Sequence, residues 1–149
     1  MVRPMKDAPV PNLYHEVISA MELAEVVFRH QYGFGACPVL AAYLHSRIGG
    51  KLVVGYYKGG EHVWVEHGRS IYDVNNMDDA DNLMLYVRNS DDPRYVADAK
   101  VTSKRELRDL LPQYGMMSPE IFDKLYSVVV KAAKKRRRRS HSRRQGFSQ

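Results

Sequence analysis

Residues 51–74 read KLVVGYYKGGEHVWVEHGRSIYDV, three strand candidates separated by two turn signals. KLVVGYY (51–57) and EHVWVEH (61–67) flank Lys58-Gly59-Gly60, and SIYDV (70–74) follows Gly68-Arg69. Short glycine-bearing gaps between runs of β-branched and aromatic residues predict hairpins, hence a small antiparallel sheet. On the middle strand a period of two puts His62, Trp64 and Glu66 on one face, with Val63 and Val65 on the other.

Helical periodicity brackets this sheet. Leu13, Val17, Ala20, Met21, Ala24, Val27 and Phe28 recur at three- and four-residue steps, predicting an amphipathic helix from Leu13 to about His30 with Asn12 as N-cap. Tyr32-Gly33-Phe34-Gly35 breaks it. Pro38 suits the first position of a second helix, making Cys37 its N-cap. Val39, Leu40, Tyr43, Leu44 and Ile48 form its apolar side, and Gly49-Gly50 ends it. Residues 75–100 are acidic and carry little pattern beyond the strand candidate LMLYV (83–87). Ser103-Lys104-Arg105-Glu106 is a capping box that opens a short helix to about Leu111. Ser118-Pro119-Glu120 begins a last helix that runs into AAKKRRRR. No internal repeat is visible. The expected class is α+β, with helices packed on the antiparallel sheet.

A chain of 149 residues suits one domain with a real core. No apolar run approaches a membrane span, so no membrane partner is expected. The N-terminal MVRPMKDAPVPN lacks the basic and apolar regions of a secretory leader. A single cysteine forms no internal disulfide, which fits a reducing, cytoplasmic setting.

The net charge of +6 is unevenly spread. Nine of the 23 Lys and Arg lie from Lys131 onward with no acid among them, leaving 14 basic and 17 acidic residues before it. The expected organisation is therefore a mildly acidic domain, residues 1–130, and a disordered basic tail, residues 131–149. Lys134, Lys135, Arg136, Arg137, Arg138 and Arg139 are the candidate contacts for nucleic acid, bound non-specifically through phosphates. In a eukaryotic host the same run would serve as a nuclear-import address. A solvated tail with no specific partner is the plainer reading.

The lone cysteine sits in a setting that chemistry would use. Backbone N–H groups at a helix start are unpaired and locally positive, and there a thiolate is stabilised. The same groups can hold the oxyanion formed when sulfur attacks a carbonyl. Gly33 and Gly35 would admit a substrate backbone. Against this, a free cysteine is more often a small buried hydrophobe. A nucleophile needs a base, and among six histidines His62 stands out because a strand would hold it rigidly. The plainer reading is a polar residue on the solvated face of a hairpin. Asp73, on the adjoining strand, is the better candidate to orient the imidazole; Glu66 points along the His62 strand and Asn75 lies just past the strand end. A turn-capping role for Asp73 competes with this. No metal-ligand spacing and no phosphate-cradling glycine motif is present, so no metal or cofactor is expected.

Residues 33–75, GFGACPVLAAYLHSRIGGKLVVGYYKGGEHVWVEHGRSIYDVN, resemble the core of the transglutaminase-like superfamily within the papain-like cysteine enzymes. The ordered matches are G-x-C ahead of an alanine-rich helix, V-x-G-Y, H-V-W-V-E and Y-D-V-N. The resemblance implies a papain-like fold, with Cys37 as nucleophile, His62 as its base and Asp73 orienting the histidine. Gln31, six residues before Cys37, matches the offset of the oxyanion-hole glutamine of papain-like proteases. Pro38 departs from the aromatic residue that many relatives carry after the cysteine, and the Ile48–Lys51 link is shorter than in many. The superfamily includes thiol proteases, deamidases, cross-linking acyltransferases and inactive members. The expected function is acyl transfer at an amide of a protein or peptide. The alternative is an inactive adaptor of the same fold that binds nucleic acid or a protein through its tail.

Overall fold

The structure, a computed structural model, describes residues 15–19, 37–75 and 84–147, with side chains through residue 135. After helical residues 15–19 come α1 (Cys37–Ile48), β1 (Lys51–Tyr57), β2 (Gly60–His67) and β3 (Ser70–Asn75). Next are β4 (Met84–Asn89), β5 (Tyr95–Val101), α2 (Lys104–Leu110), a 3-10 turn (Leu111–Tyr114) and α3 (Pro119–Phe147). The expected first helix, Leu13 to His30, lies mostly outside the described residues.

The five strands form one antiparallel sheet in the order β4-β3-β2-β1-β5. Both expected hairpins form. Tyr57 pairs with Gly60 across Lys58 and Gly59, which both take positive φ (50° and 83°), the geometry of a type I′ turn. His67 pairs with Ser70 around Gly68, also at positive φ. In the acidic stretch, β4 begins at Met84 and reaches Asn89. Strand β5 had no counterpart in the sequence reading, because its residues 96–98 are exposed at a sheet edge and show no apolar alternation.

One face of the sheet carries Leu52, Val54, Val63, Val65, Tyr72 and Val74 into the main core. Against it lies α1, buried on nearly all sides from Pro38 to Leu44. Leu107, Phe122, Leu125 and Val129 complete the layer. The capping box closes as expected, with Ser103 Oγ accepting the Glu106 N–H at 3.1 Å. The opposite face is also buried and holds a smaller cluster of Val53, Tyr57, Trp64, Ile71 and Tyr95. A sheet covered on both faces explains why the even positions of β2 are not the solvated side that alternation suggested.

The basic run, expected to be disordered, has helical backbone here: helix α3 runs from Pro119 through Phe147, and Ala132 and Ala133 are buried. Lys, Arg, Ala and Gln are good helix formers, and the basic run extends a helix already nucleated by its packed turns.

Gly55 marks the sheet's irregularity. Val54 pairs with Ala99 but Gly55 with Ala97, leaving Asp98 as the extra residue of a β-bulge. A Cβ on Gly55 would lie 2.1 Å from the Val96 carbonyl oxygen and 3.0 Å from Cη2 of Trp64. Gly55→Ala is therefore expected to cost about 3 kcal/mol through overpacking. A lowered urea midpoint with unchanged m-value would show it.

Candidate functional site

His62 is the third residue of β2 and Asp73 the fourth of β3. The backbone ladder between these strands holds only Val65↔Tyr72, Glu66↔Ile71 and His67↔Ser70. Continued by one residue, that register puts Trp64 opposite Asp73, so His62 and Asp73 are diagonal neighbours on one face. Where backbone pairing stops, the side chains take over: His62 Nε2 lies 2.6 Å from Asp73 Oδ1. His62 is 2% exposed and Asp73 0%.

The second carboxylate oxygen is held as firmly. Asp73 Oδ2 accepts from Asn75 Nδ2 at 2.7 Å and from the Tyr95 hydroxyl at 2.8 Å. Three donors thus converge on one buried carboxylate, each with a charge-assisted bond. Aromatic rings wall the pair, with Trp64 and Tyr57 centroids 6.2 and 5.9 Å from that of His62. Tyr57 packs on Tyr95 at 4.6 Å and its hydroxyl accepts from Arg88 Nη1 at 2.8 Å. Arg88 is itself buried, over the ring of Tyr86.

Cys37 is the first residue of α1 and partly exposed, one position inside the helix rather than its N-cap. Its side chain lies close enough to His62 to help raise the pKa of the imidazole. With Nε2 engaged by Asp73, Nδ1 is the ring nitrogen left for the sulfur. A helix and two strands thus bring Cys37, His62 and Asp73 to one site, with His62 bonded to Asp73 and under the electrostatic influence of Cys37. The rival orienting candidate Glu66 pairs instead with Lys100, at 3.1 Å.

Burial alone would lower the basicity of His62. The hydrogen bond and charge of Asp73, then those of Cys37, reverse this and push its pKa from 6.5 up to about 10. A pKa raised that far favours the protonated ring at neutral pH, beside Asp73. Burial, with the Asp73 charge and hydrogen bond, holds the Tyr95 hydroxyl protonated well above its ordinary range. It is a donor at every working pH.

Gln31 lies outside the described residues. Lys134 and Lys135 are exposed on α3, while the side chains of Arg136, Arg137, Arg138 and Arg139 lie outside the described side chains. Sequence reading passed over Tyr95 altogether and set Asn75 beyond the strand. Asn75 in fact ends β3, two residues from Asp73 and so on the same face. That parity was the available signal. Among the described residues no three His, Cys, Asp or Glu side chains gather as a metal site, and no helix is long and apolar enough to cross a membrane.

The folded state holds the His62 proton far more tightly than the unfolded chain does. The linked stability is therefore complete below pH 6.5 and is lost as pH climbs through about 10. Urea unfolding of wild type and His62→Gln across that interval should show the stability gap narrowing as pH rises. A gap that widened would contradict the assignment.

Set against known protein families, curated proteins and solved structures, the chain matches none of them.

Proposed function

We propose that this protein is a cysteine-dependent acyl-transfer enzyme acting on an amide of a protein or peptide, with Cys37, His62 and Asp73 as its triad. The observation that carries the reading is the buried 2.6 Å His62–Asp73 bond, with Cys37 near enough to help raise the pKa of the same imidazole. The resemblance of residues 33–75 to the transglutaminase-like superfamily supports it, as does an α+β fold with helices against an antiparallel sheet.

In this reading the Cys37 thiolate adds to the amide carbonyl carbon, and the carbonyl π electrons move to oxygen. Unpaired N–H groups in the first turn of α1 face the developing charge. The His62 imidazolium gives its proton to the amide nitrogen, the C–N bond breaks, and a thioester remains. Neutral His62 then takes a proton from water or from an acceptor amine as that nucleophile attacks. The thiolate leaves and the imidazolium is restored. Asp73 keeps the ring aimed throughout.

Alkylation by iodoacetamide at neutral pH tests this. Native Cys37 should react faster than the thiol of the urea-unfolded chain, and His62→Ala should slow the native rate by about 100-fold. Equal native rates in the two proteins would overturn the enzyme reading and leave an inactive adaptor of this fold.

The Lys/Arg run favours a second role. We infer that the basic end of α3 binds polyanions, because nine Lys and Arg with no acid follow from Lys131 onward and helical backbone continues through the run. Binding would be salt-sensitive and indifferent to sequence. A stop after Lys135 spares the buried Ala132 and Ala133, so the shortened chain should keep thiol reactivity while losing affinity for duplex DNA. Unchanged DNA affinity would overturn this assignment.

A further inference from the structure

Tyr95 comes from the sheet edge, yet its hydroxyl reaches the centre of the candidate site. In the strand order β4-β3-β2-β1-β5 two strands separate Tyr95 on β5 from Asp73 on β3. Three strand steps span about 14 Å in a flat sheet, and strand side chains stand roughly perpendicular to it. A 2.8 Å bond between these two therefore requires the sheet to curl toward this face. The bulge beside Gly55 lies between β1 and β5, where a local bend swings β5 inward. Trp64 packs against Gly55 inside the curl, and Tyr57, the direct cross-strand partner of Tyr95, packs against its ring at a tilt of 44°.

We propose that Tyr95 is a positioning residue for the Cys37–His62–Asp73 site. It fixes the rotation of the Asp73 carboxylate so that Oδ1 stays on His62. The inference rests on the acyl-transfer reading above. A carboxylate bound through one oxygen alone can turn about its Cβ–Cγ bond. Here Oδ2 is pinned from two directions, by Asn75 from within β3 and by Tyr95 from the far edge. The Asn75 bond is local and follows from parity along one strand. The Tyr95 bond closes only when the bulged edge has docked, so the carboxylate is locked only in the fully formed sheet. Tyr95 touches no reacting atom, and its contribution passes entirely through Asp73.

Tyr95→Phe tests this, because it keeps the ring packed on Tyr57 and Trp64 and removes one donor. Losing a hydrogen bond to a buried charge should lower the Cys37 alkylation rate about tenfold. The His62 ring N–H proton on the Asp73 bond should shift in the NMR spectrum. The deciding measurement is a double-mutant cycle with Asp73→Asn. If Tyr95 acts through the carboxylate, Tyr95→Phe should have no further effect on the rate once that carboxylate is gone. Equal slowing in both backgrounds, or a wild-type rate and an unmoved ring proton in Tyr95→Phe, would overturn the proposal. If His62→Ala reacts as fast as wild type, the acyl-transfer reading itself fails. A wild type that needs His62 but is indifferent to Tyr95 overturns only the positioning role. Should Asp73→Asn not fold, Asn75→Ala replaces it. With the other pin gone, Tyr95→Phe should slow the rate by more than its tenfold effect in the wild-type background, and a smaller or equal effect would count against it.

Discussion

The buried bond between His62 and Asp73 is the constraint around which this molecule is arranged. Removing an imidazolium and a carboxylate from water is costly, and their attraction offsets the cost only when every remaining polar site is met. The carboxylate meets that condition here: Asn75 and Tyr95 occupy its second oxygen while His62 holds the first. Such a network rigidifies its surroundings when complete and is a liability when one member is missing. It also explains why one sheet face carries three aromatic rings beside the aliphatic Val53 and Ile71. Trp64, Tyr57 and Tyr95 supply large rigid surfaces around the pair while two of them keep a hydroxyl for hydrogen bonding.

The two faces of the sheet divide the work. Valines and leucines on one side bury against α1 and anchor it, which sets where its first residue lies. Odd and even positions of the same strands therefore serve different ends: Val63 and Val65 hold the helix, His62 and Trp64 build the polar site. Because β2 and β3 stop pairing beyond Val65 and Tyr72, the His62–Asp73 side-chain bond rather than backbone joins the strands there. The proposed chemistry uses this arrangement directly, since a nucleophile on a packed helix and a base on a packed strand have little freedom to drift apart.

Much of this was legible residue by residue. The glycines of Lys58-Gly59-Gly60 and Gly68-Arg69 announced the hairpins, Pro38 announced α1, and Ser103 with Glu106 announced α2, because each is a local conformational requirement written in a few side chains. Asp73 was legible because it lies two residues from the position opposite His62 in a hairpin of known turn length. Strand β5 was not, since an edge strand with exposed Val96, Ala97 and Asp98 carries no apolar alternation to read. Nor was the helical course of the basic run, which charge repulsion argued against and attachment to a packed helix permitted.

By itself, then, the chain dictated its turns, its helix starts and the alternation that sets His62 and Asp73 on a common face, all consequences of φ preferences and short-range periodicity. Only tertiary structure decided that this face would be buried, that the Cys37 side chain would come close to the imidazole, and that Tyr95 would cross from the sheet edge to the same carboxylate. Those outcomes depend on how far a five-stranded sheet curls and what packs on each side. They are settled by bulge geometry and core volume summed over residues far apart in the chain, which no local pattern encodes.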